Sequence, residues 1–209
     1  MNAQTERLEV AGTAGLVQVL RDQPEGVARG TVVIAHPHPL FGGTMDNKVV
    51  QTLARAFVQC GWTAVRFNFR GVGSSAGSYD EGRGETQDLL ALVQALAPQG
   101  PIALAGFSFG AFVASQAVQA LWGQRDVQFV VLVGTAASRF QVATLPPESH
   151  ERTLVVHGEK DETVPLQDAL DWARPQSLPV TVVPGVEHFF HGQLPLLKSL
   201  VVRHLRTQG

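Results

Sequence analysis

Ser108 is the residue of this chain best placed to do chemistry. It lies in Gly106-Phe107-Ser108-Phe109-Gly110, a G-x-S-x-G pattern, between an apolar run over residues 101–105 and a helical pattern over residues 111–117. A strand-to-helix turn lifts a serine hydroxyl clear of the backbone. The turn forces the serine into strained φ/ψ space and crowds the chain around it, so very small residues are needed two positions before and after. Gly106 and Gly110 supply them. The same five residues would fit a glycine-rich connection with an incidental serine, so the motif gains meaning only from its partners. A serine hydroxyl is a poor nucleophile at neutral pH. It needs a base, and the base needs an acid to hold its tautomer and stabilise its charged form. Glu159, Asp161 and Glu162 compete for the acid, His188 and His191 for the base. The chain order serine, acid, histidine is the one expected when a strand-turn-helix elbow carries the nucleophile.

These groups are far apart in sequence, so the elements between them must bring them together. Residues 8–10 and 16–20 alternate around a Gly-containing connection and predict a hairpin. Residues 31–35 form a continuous β-branched run, as expected of a central strand covered on both faces. It ends at His36-Pro37-His38-Pro39-Leu40-Phe41-Gly42-Gly43, where two prolines and two glycines forbid regular structure. Apolar spacing predicts a helix over 47–58, stopped by Gly61. Strands follow at 63–67, 101–105, 129–133, 153–156 and 179–183. Helices are predicted over 85–97, after the elbow to about 121, near 166–173 and around 195–206, and residues 139–145 read as a short helix. Glu85 and Asp88 fall in the first turns of their helix, where acidic groups suit the dipole. The alternation of strands and helices with short connections predicts one domain over residues 1–209. It is an α/β fold, doubly wound, with a mostly parallel eight-stranded sheet and antiparallel N-terminal strands. In such sheets reactive groups gather at the carboxyl ends of the strands. His36, His38, Ser108, Asp161 and His188 all fall there.

Composition narrows the function classes. Hydrophobic residues make up 44% and charged ones 16% of 209 residues, normal for a compact globular protein. A net charge of −2 offers no broad basic field for nucleic acid or anionic lipid. Cys60 is the one cysteine, so no internal disulfide forms, which fits a reducing compartment. Its position at a helix end suggests packing rather than chemistry. No signal pattern opens the chain, and no apolar run approaches the roughly 20 residues that span a bilayer. The expectation is a soluble, cytoplasmic protein. Residues 68–77 carry glycines spaced G-x-G-x-x-x-G, one residue off a dinucleotide fingerprint and without the Lys-Ser/Thr of a P-loop, and read as a structural turn. His36 and His38 could be a metal pair, but no third ligand of recognisable spacing follows. No cofactor and no metal is expected.

Taken together, five motifs resemble the α/β-hydrolases, close to their small, lidless dienelactone-hydrolase-like branch. They are His36-Pro37, Asn68-Phe69-Arg70-Gly71-Val72-Gly73-Ser74, Gly106 to Gly110, His157-Gly158-Glu159-Lys160-Asp161-Glu162-Thr163-Val164-Pro165, and Gly185-Val186-Glu187-His188-Phe189. The resemblance covers residues 30–205, and it implies a triad of Ser108, Asp161 and His188. The family pattern H-G-x-x-D-x-x-V-P selects Asp161 among the carboxylates, and His188 matches the position of the family's base. It implies an oxyanion hole of the Phe109 N–H and a second donor from the loop after the third strand. Pro37 and Pro39 have no N–H, which leaves His38, preferred by alignment to the family's H-G-x, with Leu40 as alternative. Two departures matter. Dienelactone hydrolases carry cysteine at the elbow, and lipases carry a glycine-rich hole that this chain lacks.

The function so implied is a serine hydrolase acting on small to medium esters through an acyl-enzyme on Ser108. Thioesters, lactones or short peptides remain alternatives, as does a non-catalytic binding domain of the same fold. The partner is a small-molecule ester, and the oligomeric state is left open. No cap domain is expected. Caps in this fold enter between the sixth and seventh strands, and residues 134–152 cannot hold two helices of roughly 11–12 residues with their turns. Ser108 should then face a shallow cleft bordered by Leu40, Phe41, Phe109 and Phe189.

Overall fold

A computed structural model describes residues 5–207. Strands β1 (Glu6–Ala11) and β2 (Leu16–Asp22) form an antiparallel hairpin, and β2 pairs antiparallel with β4 (Thr63–Phe67). Every other pairing is parallel: β4 with β3 (Thr31–Ala35), then β5 (Ile102–Phe107), β6 (Val127–Val133), β7 (Thr153–Gly158) and β8 (Val180–Val183). The sheet order is β1-β2-β4-β3-β5-β6-β7-β8. After β3 the chain winds to one side to reach β4, then returns to the other side at β5. That reversal opens a crevice beyond the carboxyl ends of β3 and β5.

Alternation along the central strands feeds two cores. Val33, Ala35, Leu104, Val130 and Leu132 face one side, beneath α2 (Arg83–Leu96) and α3 (Phe109–Leu121). Val32, Ile34, Ala103, Ala105, Phe129 and Val131 face the other, beneath α1 (Lys48–Gln59) and α5 (Leu194–Thr207). The short helix α4 (Leu166–Ala173) adds Ala173 to the first core. Such largely apolar, two-sided strands are what a covered parallel sheet requires. Asn47 caps α1 by accepting from the amides of Val49 and Val50. In α2, Glu85 reaches back to accept from the amides of Asp80 and Gly82, so the helix begins two residues before the sequence pattern does. Glu85 and Asp88 are both buried, so they serve the fold through specific bonds and not only through the helix dipole.

Residues 134–152 form no α-helix, and no cap covers the sheet among the described residues. The short helix expected over 139–145 is absent. Its backbone groups bond to other elements instead: Ala143 N–H donates to Ser115 Oγ, Leu145 N–H to Gln176 Oε1, and Gln116 and Trp172 donate to the carbonyls of Gln141 and Ala143. These long-range bonds replace the local ladder a helix would make. The glycine-containing loop after β4 is likewise a packed turn. Arg70 bonds Asp88 and Thr13, and Ser75 Oγ donates to the Asn68 carbonyl while accepting from Gln18 N–H. Among the described residues no helix is long and apolar enough to cross a membrane.

Candidate active site

The elbow is built by close backbone approach. Ser108 adopts φ 58° and ψ −117°, a sparsely populated region for a residue with a side chain. A Cβ on Gly106 would lie 2.1 Å from the Gly110 carbonyl oxygen, and one on Gly110 would lie 2.2 Å from that of Ala35. Only glycine fits either place. The Ser108 amide donates to the Val133 carbonyl at 2.8 Å, tying the elbow to the end of β6.

The candidate acid, Asp161, and the candidate base, His188, stand on two loops fastened to each other. Lys160 N–H donates to the Val186 carbonyl, Glu159 N–H to that of Val183, and Gly185 N–H to the Glu159 carboxylate. Glu159, one of the competing acids, thus works as a clasp. Asp161 Oδ1 accepts from the amides of Thr163 and Val164 at 3.0 and 2.7 Å. Its Oδ2 lies 2.6 Å from His188 Nδ1, and His188 Nε2 lies 3.0 Å from Ser108 Oγ. Asp161 receives only donors here, which assigns the proton to Nδ1 and leaves Nε2 to accept from the serine hydroxyl. All three residues are buried. The imidazole is packed between Phe107, 4.8 Å away, and Phe189, 5.1 Å away and edge-on. His191 is exposed and pairs with Glu187, away from this chain of bonds.

The loop after β3 forms the opposite wall. His36 is fully buried, with Nδ1 2.6 Å from the Pro37 carbonyl oxygen and Nε2 accepting from Phe69 N–H at 3.0 Å. Both ring nitrogens are thereby used, and His36 has none left for a metal. Burial pushes its pKa down to about 4. His38 opens a 3-10 turn over Pro39–Phe41, its Nδ1 accepting from Leu40 N–H at 3.2 Å. That bond occupies the Leu40 amide, so the alternative second donor is already spent. The amides of His38 and Phe109 donate to no group among the described residues. For Phe109 this follows from its place as the first residue of α3, whose N–H has no partner within the helix.

A cavity of about 350 Å³ opens onto Ser108 and His188. Phe41, Phe109 and Phe189 line it, as do Phe140 and Arg139 from the segment after β6. Leu40 does not, which corrects the expectation that it borders the cleft. Within one 3-10 turn successive side chains diverge by about 120°. Both side chains are exposed, Leu40 at 66% and Phe41 at 75%, and of the two only Phe41 takes the direction that borders the cavity.

Sequence reasoning overlooked His157. This buried residue at the end of β7 donates from Nε2 to the Val164 carbonyl at 2.9 Å, and the same nitrogen lies 3.4 Å from Asp161 Oδ2. Desolvation lowers its pKa, which keeps a neutral ring beside the carboxylate. Its one signal in the sequence was its place at the head of the His157-Gly158 motif. Arg139 carried no local signal at all.

The family model described as serine aminopeptidase, S33, matches residues 26–149. A crystal structure from Xanthomonas campestris, described as a member of the a/b serine hydrolases without lid, is 37% identical. Its TM-score is 0.87, over 99% of this chain and 96% of that one. An alpha-beta serine hydrolase homologue from Coxiella burnetii is 40% identical with a TM-score of 0.81, over 96% of this chain and 97% of that one. An uncharacterised protein of Rickettsia prowazekii is 31% identical over 172 residues, 76% of this chain and 71% of that protein.

Proposed function

We propose that this chain, which belongs to the serine aminopeptidase S33 family of the α/β-hydrolases, is a carboxylic-ester hydrolase working through an acyl-enzyme on Ser108. The observation that carries the reading is the continuous chain from Ser108 Oγ to His188 at 3.0 Å and on to Asp161 at 2.6 Å, facing the cavity. Ser108 Oγ attacks the ester carbonyl carbon as His188 Nε2 takes its proton. Asp161 holds the imidazole in the required tautomer and stabilises its charge. The carbonyl oxygen, now negative, receives the amides of Phe109 and His38, both without another acceptor. Collapse breaks the bond to the alcohol, which leaves with the proton from His188. A water, deprotonated by the same nitrogen, then attacks the acyl carbon and frees the acid and Ser108.

The volume of the cavity, about 350 Å³, suits the burial of small to medium substrates. Despite the family's description, an aminopeptidase role is poorly supported. A free α-ammonium group wants a carboxylate beside it, and no Asp or Glu lines the cavity. Thioesters and lactones would follow the same steps with a different leaving group. A binding domain without catalysis would not need the strained Ser108 backbone. Cys60, unable to form an internal disulfide, suits a reducing, cytoplasmic setting.

A fluorophosphonate probe tests the nucleophile, and p-nitrophenyl esters and thioesters of graded acyl length test the substrate. Labelling of wild type but not Ser108→Ala, with short acyl esters turned over fastest, is the expected result. Equal labelling of both proteins would refute the assignment.

A further inference from the structure

We infer that Arg139 forms an anion-binding subsite at the Ser108 cavity, and that the preferred ester carries a carboxylate. This rests on the serine-hydrolase reading above and names the substrate class of that site.

Arg139 is the one arginine or lysine lining the cavity, and no carboxylate lines it. Apart from Ser108, His38 and His188, the other lining groups are largely aromatic or aliphatic, with Asn47 and Thr163 as neutral polar exceptions. Among the described residues Arg139 makes no side-chain hydrogen bond or ion pair, unlike Arg66, Arg70, Arg83 and Arg174, which pair with aspartates. A guanidinium offers five donors in a planar fork that matches a carboxylate bidentately. Its field reaches the reacting region: with burial as the larger cause, Arg139 helps to hold the His38 imidazole below its ordinary pKa.

The segment fixes where this charge stands. Phe140, the next residue, stacks on Phe112 at 5.0 Å and meets the edge of Phe109 at 5.0 Å. On the far side, the Gln141 carbonyl accepts from Gln116. On the near side, Arg139 N–H donates to the Ala136 carbonyl. Arg139 is thus an exposed, unpaired cation held at the wall of a mainly apolar site by half-buried Phe140, which packs on the buried rings of Phe109 and Phe112. A neutral ester gains nothing from it, and a substrate with a free ammonium group is repelled. An ester with a carboxylate a few bonds from the scissile carbonyl gains a charge-assisted pair. Two kinds of ester meet this description: half-esters of dicarboxylic acids, charged on the acyl side, and esters of hydroxy acids, charged on the alcohol side.

The test compares matched pairs on wild type, Arg139→Ala and Arg139→Glu. Monophenyl glutarate against phenyl valerate reads the acyl side, and 3-(butyryloxy)benzoate against phenyl butyrate reads the alcohol side. The readout is the ratio of kcat/KM for the anionic over the neutral member of each pair. For at least one pair this ratio should fall on the order of tenfold from wild type to Arg139→Glu, with Arg139→Ala between. In wild type the same ratio should decline as salt is raised, because the pair is partly exposed to screening. The responding pair identifies the side that bears the charge. Ratios in both pairs that are the same in wild type and Arg139→Glu overturn the subsite while leaving the esterase reading intact. Failure of wild type to hydrolyse any of the four esters overturns the esterase reading itself, and the subsite with it.

Discussion

Acid should unfasten this protein first at His36. The residue is fully buried, and its two nitrogens bind the Pro37 carbonyl and the Phe69 amide. A second ring proton would set an Nε2–H against the Phe69 N–H. Burial holds the pKa at about 4, below the ordinary 6.5, against the opposing pull of the Pro37 carbonyl. Because the folded value is the lower one, the unfolded chain takes up its proton first. The stability at stake is intact above about 6.5, declines as pH falls, and is fully lost below about 4. At about 1.4 kcal/mol per pH unit the whole effect is about 3 kcal/mol. About 2 kcal/mol of it should be lost between about pH 7 and about pH 5. His157 and His204 are also pushed down by burial and act in the same direction, so wild type alone cannot isolate His36. The assay is therefore a comparison. Urea unfolding of wild type and His36→Gln is followed across this window, since glutamine can replace both bonds but does not titrate. Wild type should lose about 2 kcal/mol more than the variant. Parallel losses would refute the assignment of His36 as a neutral clamp between the loops after β3 and β4.

Other outcomes follow from the same geometry. Ser108→Gly should abolish turnover yet raise unfolding free energy by about 1 kcal/mol, since glycine relieves the positive φ of the elbow. Chemical denaturation checks this, and a less stable variant would contradict it. His188→Ala should lower kcat by on the order of 10⁴-fold or more, and His191→Ala by less than about threefold. Steady-state kinetics on one ester decides between them. Activity toward a triglyceride should show no jump when the substrate passes its solubility limit, because no cap covers the cavity; a jump would reveal a moving cover.

Much of this architecture was legible in the sequence because local chemistry and global fold agree. The strands Thr31–Ala35 and Thr63–Phe67 carry β-branched or apolar residues that a covered parallel sheet needs, and both appear at the expected bounds. The elbow glycines were readable because no other residue fits so near a backbone carbonyl. The rest depended on distant partners. β7 runs on to His157 and Gly158 because these pair with Val182 and Val183 of β8. Residues 141–146 form no helix because side chains of Ser115, Gln116, Trp172 and Gln176 hold their backbone. No local pattern reveals that Phe41 borders the cavity while Leu40 does not, nor that His157 lies against Asp161. Arg139 reaches the cavity wall through distant contacts of its segment, chiefly the packing of Phe140 on Phe112 and Phe109.

The central claim is that Ser108 is acylated during turnover. The direct measurement is acid-quenching of wild type during hydrolysis of p-nitrophenyl acetate, followed by peptide mass spectrometry. The account predicts an acetyl group on the peptide containing Ser108, appearing with a burst of nitrophenol and absent in Ser108→Ala. Steady turnover with no acylated peptide, or with the acyl group on another residue, would contradict it.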